Sequence, residues 1–435
     1  MSQVDDPARG EGAAPDEELT EAAARKADLA VPAEITAGSV GEYLRSSVAR
    51  MRAGESGVLP VVGGLIVISI LFQSLNSNFL TAQNLVNLLV QGAVFCLLAM
   101  GEVFVLLLGE IDLSIGFVAG VGGVIMADTV GPNYGWPWWV AIGAALVACA
   151  AIGLIQGLII TRIGLPSFVV TLAGLLFWQG MLLHILGNGG TFPVNESIIN
   201  DITSSNLTNT EGWIVLVVIL AIYAALVWRR DAKRRAAGLV APPPTVTLLK
   251  IAAAVAAGVA LVLLCNADRG ILEPISGVPW VVLLVLGVLA VWTFLLGRTK
   301  LGRYLYAIGG SAEAARRAGI SVAWVRTSAF VLCSLTAGIA GVVYTSRLRS
   351  ISTTVDGGTL VLYGIAAAVI GGTSLMGGRG KALHGVLGGI VIAAIDNGMG
   401  LLGYTAATKY MVTAFVLLVA VTIDALTHRG RVAGT

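Results

Sequence analysis

Charge is scarce in this chain. Only 12% of its 435 residues are Asp, Glu, Lys or Arg, while 56% are hydrophobic; a typical soluble domain carries about a quarter charged residues. A water-soluble enzyme is thereby excluded, and the chain is read as an integral membrane protein. Its net charge of +2 is too small for a partner bound by neutralising phosphates, so no nucleic acid is expected. Cysteine is limited to Cys96, Cys149, Cys265 and Cys333, each in or at the end of an apolar run and none in a C-x-x-C pair. That excludes a disulfide framework and a zinc site, leaving small core hydrophobes. The histidines, His184, His384 and His428, show no H-E-x-x-H spacing, so no metal is implied. Nucleotide and hydrolase signatures are missing as well. The nearest imitation, Gly377 to Ala382, lacks the glycine spacing and the hydroxyl of a phosphate loop. No catalytic residue, cofactor or ATP site is expected.

What is present is length in apolar runs. A helical span needs about 20 such residues, and breaks at polar, Gly and Pro positions divide the chain into twelve candidates. They run over 57–74, 84–108, 113–130, 138–160, 165–186, 212–228, 248–265, 278–296, 326–345, 359–372, 385–402 and 408–427. The expected fold is all-α, a polytopic membrane helix bundle of about twelve transmembrane helices. An even count puts both termini on one side. Outside the N-terminal tail, the connections on that side hold 20 Lys and Arg against 4 on the other, the latter being Arg269, Arg347, Arg349 and Lys409. The positive-inside rule therefore places both termini in the cytoplasm.

Residues 1–40, with nine acidic and three basic positions among Ala, Pro and Gly, read as a disordered acidic tail without the pattern of a cleavable signal peptide. Residues 41–56 form a mildly amphipathic juxtamembrane segment, and 57–428 the membrane domain. Two connections are long. The outer one, 187–211, contains no Lys or Arg; the inner one, 229–247, has a basic run and then a Pro triplet expected to be extended.

Without an ATP site, uphill transport needs an ion gradient, which usually leaves charges deep in the spans, or a separate ATPase on the cytoplasmic surface. The pattern favours the ATPase. Its docking candidate is the inner segment 301–320, including Gly302 and Arg303. Ser311 can cap a short helix, and Glu313 lies in its first turn. Ala314 and Ala315 give a small face, Arg316 and Arg317 lie at its end, and Gly319 can terminate it in the left-handed conformation. Such a helix can fit a partner's groove or merely close the bundle.

The Glu313-Ala314-Ala315 helix ending in Gly319-Ile320 resembles the coupling segment of ATP-binding-cassette importer permeases of the ribose/xylose sugar group. Gly109 to Gly116 is similar to that group's G-x-I-D-L-S-x-G stretch, Pro166 to Gly174 with Gln179-Gly180 to its P-x-F-x-x-T-L stretch, and Ile365 to Gly380 to its Gly-rich segment. The resemblance runs from about 60 to 425. Asp396 to Leu402 and the paired spans around the basic inner loop look most like xylose permeases. Val361 departs from the pattern, where relatives often carry an acid. The resemblance implies a monosaccharide permease subunit in a bacterial inner membrane, a cytoplasmic ABC ATPase, a periplasmic sugar-binding protein and a permease homodimer. Nucleoside or branched-chain amino-acid permeases of the broader family, or an ion-coupled carrier, are the alternatives.

Asp112 and Ser114 sit where an ionised carboxylate is costly unless water, amides or a polar span receive it. A helix cap, a path lining and a proton-coupling role stay open. Sugar hydroxyls call for amides, hydroxyls and aromatics, so Asn87, Gln91, Thr171, Trp178, Gln179 and Asn397 are path candidates, although plain helix packing is the favoured reading of each taken singly. Gly371 and Gly372 form a dense break that reads as a hinge or an irregular turn buried in protein, with a gate near the inner mouth as an open reading. Arg347 and Arg349 either meet acids on a docking receptor or are solvated. Gly116/Gly120, Gly153/Gly157 and Gly385/Gly389 are read as close-packing pairs.

Overall fold

The computed structural model describes residues 58–187, 190–239, 241–270 and 274–432. The tail and the juxtamembrane segment fall outside them.

Each of the twelve apolar segments lies on a helix. In chain order these are α1 (Val58–Leu75), α2 (Ala82–Leu106), α3 (Ile115–Val130), α4 (Trp138–Leu158) and α5 (Ser167–Leu186). The long outer connection is more ordered than a loop, holding β1 (Thr191–Pro193) and the short α6 (Ser197–Ser204). Then come α7 (Asn209–Ala236), α8 (Pro244–Asn266) and α9 (Trp280–Arg298). The inner segment is two helices, α10 (Lys300–Gly310) and α11 (Ala312–Arg317). They are followed by α12 (Val322–Leu348), β2 (Ser350–Ser352), α13 (Gly357–Ile370), α14 (Ala382–Leu401) and α15 (Ala406–Val432). Eight of these helices are long and apolar enough to cross a bilayer; α1, α3, α13 and α15 carry shorter apolar stretches.

Burial separates centre from rim. The apolar stretches of α2 and α14 are 83% buried, while those of α4, α5 and α9 are 33%, 22% and 22% buried, which leaves their outer faces for lipid. Small residues let the central helices approach closely. A Cβ on Gly385 would lie 2.6 Å from the Met100 nitrogen and one on Gly389 2.7 Å from the Cys96 Cα, which fixes α14 against α2. Gly153 and Gly157 meet α12 at Phe330 and Thr327, and Gly116 meets Gly357 on α13. The glycine pairs are packing surfaces, as their spacing implies. All four cysteines are buried and free.

Residues 215–259 form a compact unit of their own. In it the basic run is helical: α7 continues to Ala236, and the Arg235 guanidinium lies 5.6 Å from the Trp228 ring centre. Buried Asp231 accepts from Thr247 at 2.9 Å and pairs with Arg230 at 3.0 Å. The Pro triplet is only partly extended, because Pro244 starts α8, the position where a missing N–H costs nothing.

In the other unit, residues 54–214 and 260–435, the connections gather at two ends. At one end β1 pairs antiparallel with β2 through Phe192 and Ile351. Val194 donates to the Arg349 carbonyl at 2.8 Å, and the Asn76 side chain donates to the Leu401 carbonyl at 3.0 Å. At the other end Gly378 donates to the Leu107 carbonyl at 2.8 Å, and Arg326 pairs with Glu110 at 2.5 Å. Connections assigned to one side by their charge touch partners assigned to that same side.

Candidate functional site

The inner segment is built by local rules. Thr299 caps α10 by accepting from the Gly302 amide at 3.2 Å, and Ser311 caps α11 by accepting from Ala314 at 3.2 Å. Ile320 donates to the Ala315 carbonyl at 3.0 Å, with Gly319 at φ +81°, so the helix closes with a left-handed glycine. Exposed Glu313 pairs with Arg316 and Arg317, each at 3.1 Å. The short helix lies where its caps imply, beginning after Ser311, while Gly302 and Arg303 lie on the separate α10 that precedes it. Ala315 is buried beneath an exposed Ala314.

α10 is joined to the Gly-rich break between α13 and α14. A Cβ on Gly309 would stand 1.9 Å from the Leu107 carbonyl oxygen and 2.4 Å from the Gly378 nitrogen. The Tyr306 hydroxyl donates to the Gly380 carbonyl at 2.8 Å. The break is irregular but internally bonded, with Thr373 donating to Ala368 at 3.0 Å and Ser374 to Arg379 at 2.9 Å. Gly371 abuts the His384 carbonyl, and Gly372 has φ +108°. Gly371 and Gly372 therefore belong to this junction.

The other path candidates fall into two clusters. At the break between α2 and α3, fully buried Asp112 accepts from the Ser114 amide at 2.9 Å and its hydroxyl at 2.6 Å. Ser114 in turn meets Gln156 at 2.9 Å. The cap reading is corrected in its detail: Ser114 is the N-cap of α3, yet no side chain caps that helix, and Asp112 instead closes a turn onto Ser114. Thr171 donates to the Ile111 carbonyl at 3.3 Å, and Gly174 faces both Gln156 and the Trp178 indole nitrogen. The side chain of half-buried Gln179 makes no hydrogen bond to a described residue.

Gln91 and Asn397 belong to the second cluster. Gln91 donates to Asp396 at 2.5 Å, Lys409 donates to the same carboxylate at 3.1 Å, and Tyr363 reaches it at 3.4 Å. Asn84 and Asn397 exchange a pair of side-chain bonds at 2.9 and 3.0 Å. Gln91 and Leu106 are 15 residues apart on α2, about 22 Å at 1.5 Å per residue. The candidates thus occupy opposite ends of α2 instead of lining a single stretch.

At the same end as the second cluster, Arg347 is half-buried and Arg349 exposed with φ +53°. Nearby Asp356 caps α13 through Thr359 at 3.0 Å and accepts from the Tyr410 hydroxyl at 2.6 Å. Partial burial works to raise the Asp356 carboxyl, but bonds from Thr359 and Tyr410 outweigh it and hold the group below its ordinary value.

Sequence reasoning passed over Glu102, Gln156, Tyr306 and Tyr363, and counted Lys409 only for its charge. Glu102 is completely buried on α2, and neither of its oxygens has a hydrogen-bond partner among the described residues. A carboxylate inside an apolar run is itself a signal and could have flagged it. The others depend on partners outside their own helices, 13 to 74 positions away. Among the described residues no three His, Cys, Asp or Glu side chains converge as a metal site would require.

The family model described as branched-chain amino acid transport system / permease component matches residues 84–421. The xylose transport system permease protein XylH of Escherichia coli (strain K12) is 36% identical over 86% of this chain and 92% of its own length. The ribose import permease protein RbsC of the same strain is 31% identical over 83% and 91%. Its D-allose transport system permease protein AlsC is 27% identical over 83% and 90%. No solved structure matches.

Proposed function

From the premise that the chain belongs to the branched-chain amino acid transport system permease component family, we propose that it is the membrane subunit of a monosaccharide importer. Residues 57–428 form the permease domain, with twelve spans and both termini in the cytoplasm. Two copies pair, a cytoplasmic ABC ATPase docks on α11, and a periplasmic receptor delivers a xylose-like pentose or related sugar. The observation that carries this reading is the near end-to-end similarity to a xylose permease over 86% of the chain. Supporting it is the junction at Gly309 and Tyr306, through which a push on the α10–α11 pair reaches the Gly-rich break between two core helices.

The second cluster suits the outer stage of the path. Its amides, the Tyr363 hydroxyl and the Asp396–Lys409 pair offer donors and acceptors to sugar hydroxyls without leaving a net charge. Arg347 and Arg349 stand at the same end for the receptor. The other reading, a branched-chain amino-acid permease, is favoured by the description of the family model. A competition experiment separates the two. In vesicles holding the permease, its ATPase and its receptor, unlabelled pentoses should suppress uptake of labelled xylose while leucine and nucleosides leave it unchanged. Transport of leucine but not of any monosaccharide would overturn the sugar assignment.

A further inference from the structure

A cleft of about 510 Å³ lies between the end of α4 and the first half of α12. Its walls change in character along their length. Leu154, Leu158 and Leu332 line the stretch farther along the helices, and Arg162, Ser321 and Trp324 lie at the helix ends. Arg162 and Leu154 are eight positions apart, Ser321 and Leu332 eleven. At 1.5 Å per residue the cleft runs about 12–16 Å down the helices, which matches one leaflet of a hydrocarbon layer about 30 Å thick.

The middle of the wall is apolar in practice although it contains hydroxyls. Thr161 donates back to the Gly157 carbonyl at 2.7 Å and Ser328 to the Trp324 carbonyl at 2.8 Å, so these side chains make no demand on an occupant. The mouth is different. Arg162 is exposed and has no acidic partner among the described residues. Ser321 begins α12 without a side-chain cap. Trp324 is 57% exposed, an aromatic of the kind found at headgroup level. α4 itself ends in a π turn, Ile159–Ile163, an irregularity frequent at functional sites.

A lone cation at the rim and a carbon-lined slot one leaflet deep complement an anionic amphiphile. We propose that the cleft binds one anionic phospholipid of the cytoplasmic leaflet, with its phosphate on Arg162 and an acyl chain along Leu154, Leu158 and Leu332. The leaflet assignment rests on the orientation proposed above. Leu301 of α10 lines the same cleft, so the bound lipid braces the root of the coupling pair.

The test uses the full chain purified in detergent, with equal amounts of phosphatidylglycerol and phosphatidylcholine added and retained lipid counted by native mass spectrometry. The expected result is one phosphatidylglycerol per chain, favoured at least tenfold. Arg162→Gln should abolish the preference, Val331→Trp should expel the lipid, and Arg234→Gln should change nothing. Equal retention of the two lipids, or an unaltered preference in Arg162→Gln, overturns the proposal. So does disulfide-linked dimerisation of Ser328→Cys in native membranes, which would seat a second copy in the cleft. Labelling of Arg162→Cys by an impermeant maleimide from outside intact cells would refute the leaflet assignment. Lipid retention in detergent does not depend on orientation, so the two failures are told apart.

Discussion

Asp396 shows how a single residue is made tolerable inside a bundle. It is 9% exposed, and a carboxylate so placed is costly unless charge and hydrogen bonds meet it. Lys409, Gln91 and Tyr363 do so from three other helices. Removing one partner leaves a buried acceptor unsatisfied, at about 1–3 kcal/mol. Lys409→Met should therefore lower the thermal midpoint of the purified permease, and Asp396→Asn added to it should recover most of the loss. A double variant less stable than Lys409→Met alone would contradict this account. The sequence shows Gln91 and Asn397 as polar residues in apolar runs, but Gln91 lies 305 positions from Asp396, and such a pairing leaves no local trace. The same reasoning explains why Asp112 and Ser114 were legible and Gln156, 42 positions from Ser114, was not.

Among the elements, α10 and α11 show the opposite case, where local chemistry sufficed. Ser311, Glu313 and Gly319 act within a turn or two of themselves, so the cap, the charge placement and the left-handed stop can all be read in advance. Ser311→Ala should cost about 1 kcal/mol of helix stability, seen as faster hydrogen exchange confined to residues 312–317; unchanged exchange there would argue against the cap. What the sequence does not reveal is the surface that α10 presses. Adjacent glycines supply a test of that contact. A methyl on Gly309 collides with Leu107 and Gly378, whereas one on Gly310 meets nothing within 4 Å. Gly309→Ala should reduce the sugar moved per ATP several-fold, while Gly310→Ala should transport normally. Equal coupling in both variants would remove the junction from the mechanism.

For the molecule as a whole, apolar length revealed the order of the helices, and Lys/Arg counting assigns each connection the side proposed above. The packing that selects α2 and α14 as the centre depends on small residues meeting across long separations, such as Gly389 on Cys96, and became visible only in three dimensions. The central claim is that this bundle is a conduit moved from its inner end by another protein's nucleotide cycle. It is tested most directly in proteoliposomes containing the permease alone or with its ATPase and receptor. The account predicts accumulation of labelled sugar only in the complete system with ATP, and none by the lone permease under an imposed proton or sodium gradient. Uphill uptake by the lone permease would contradict it.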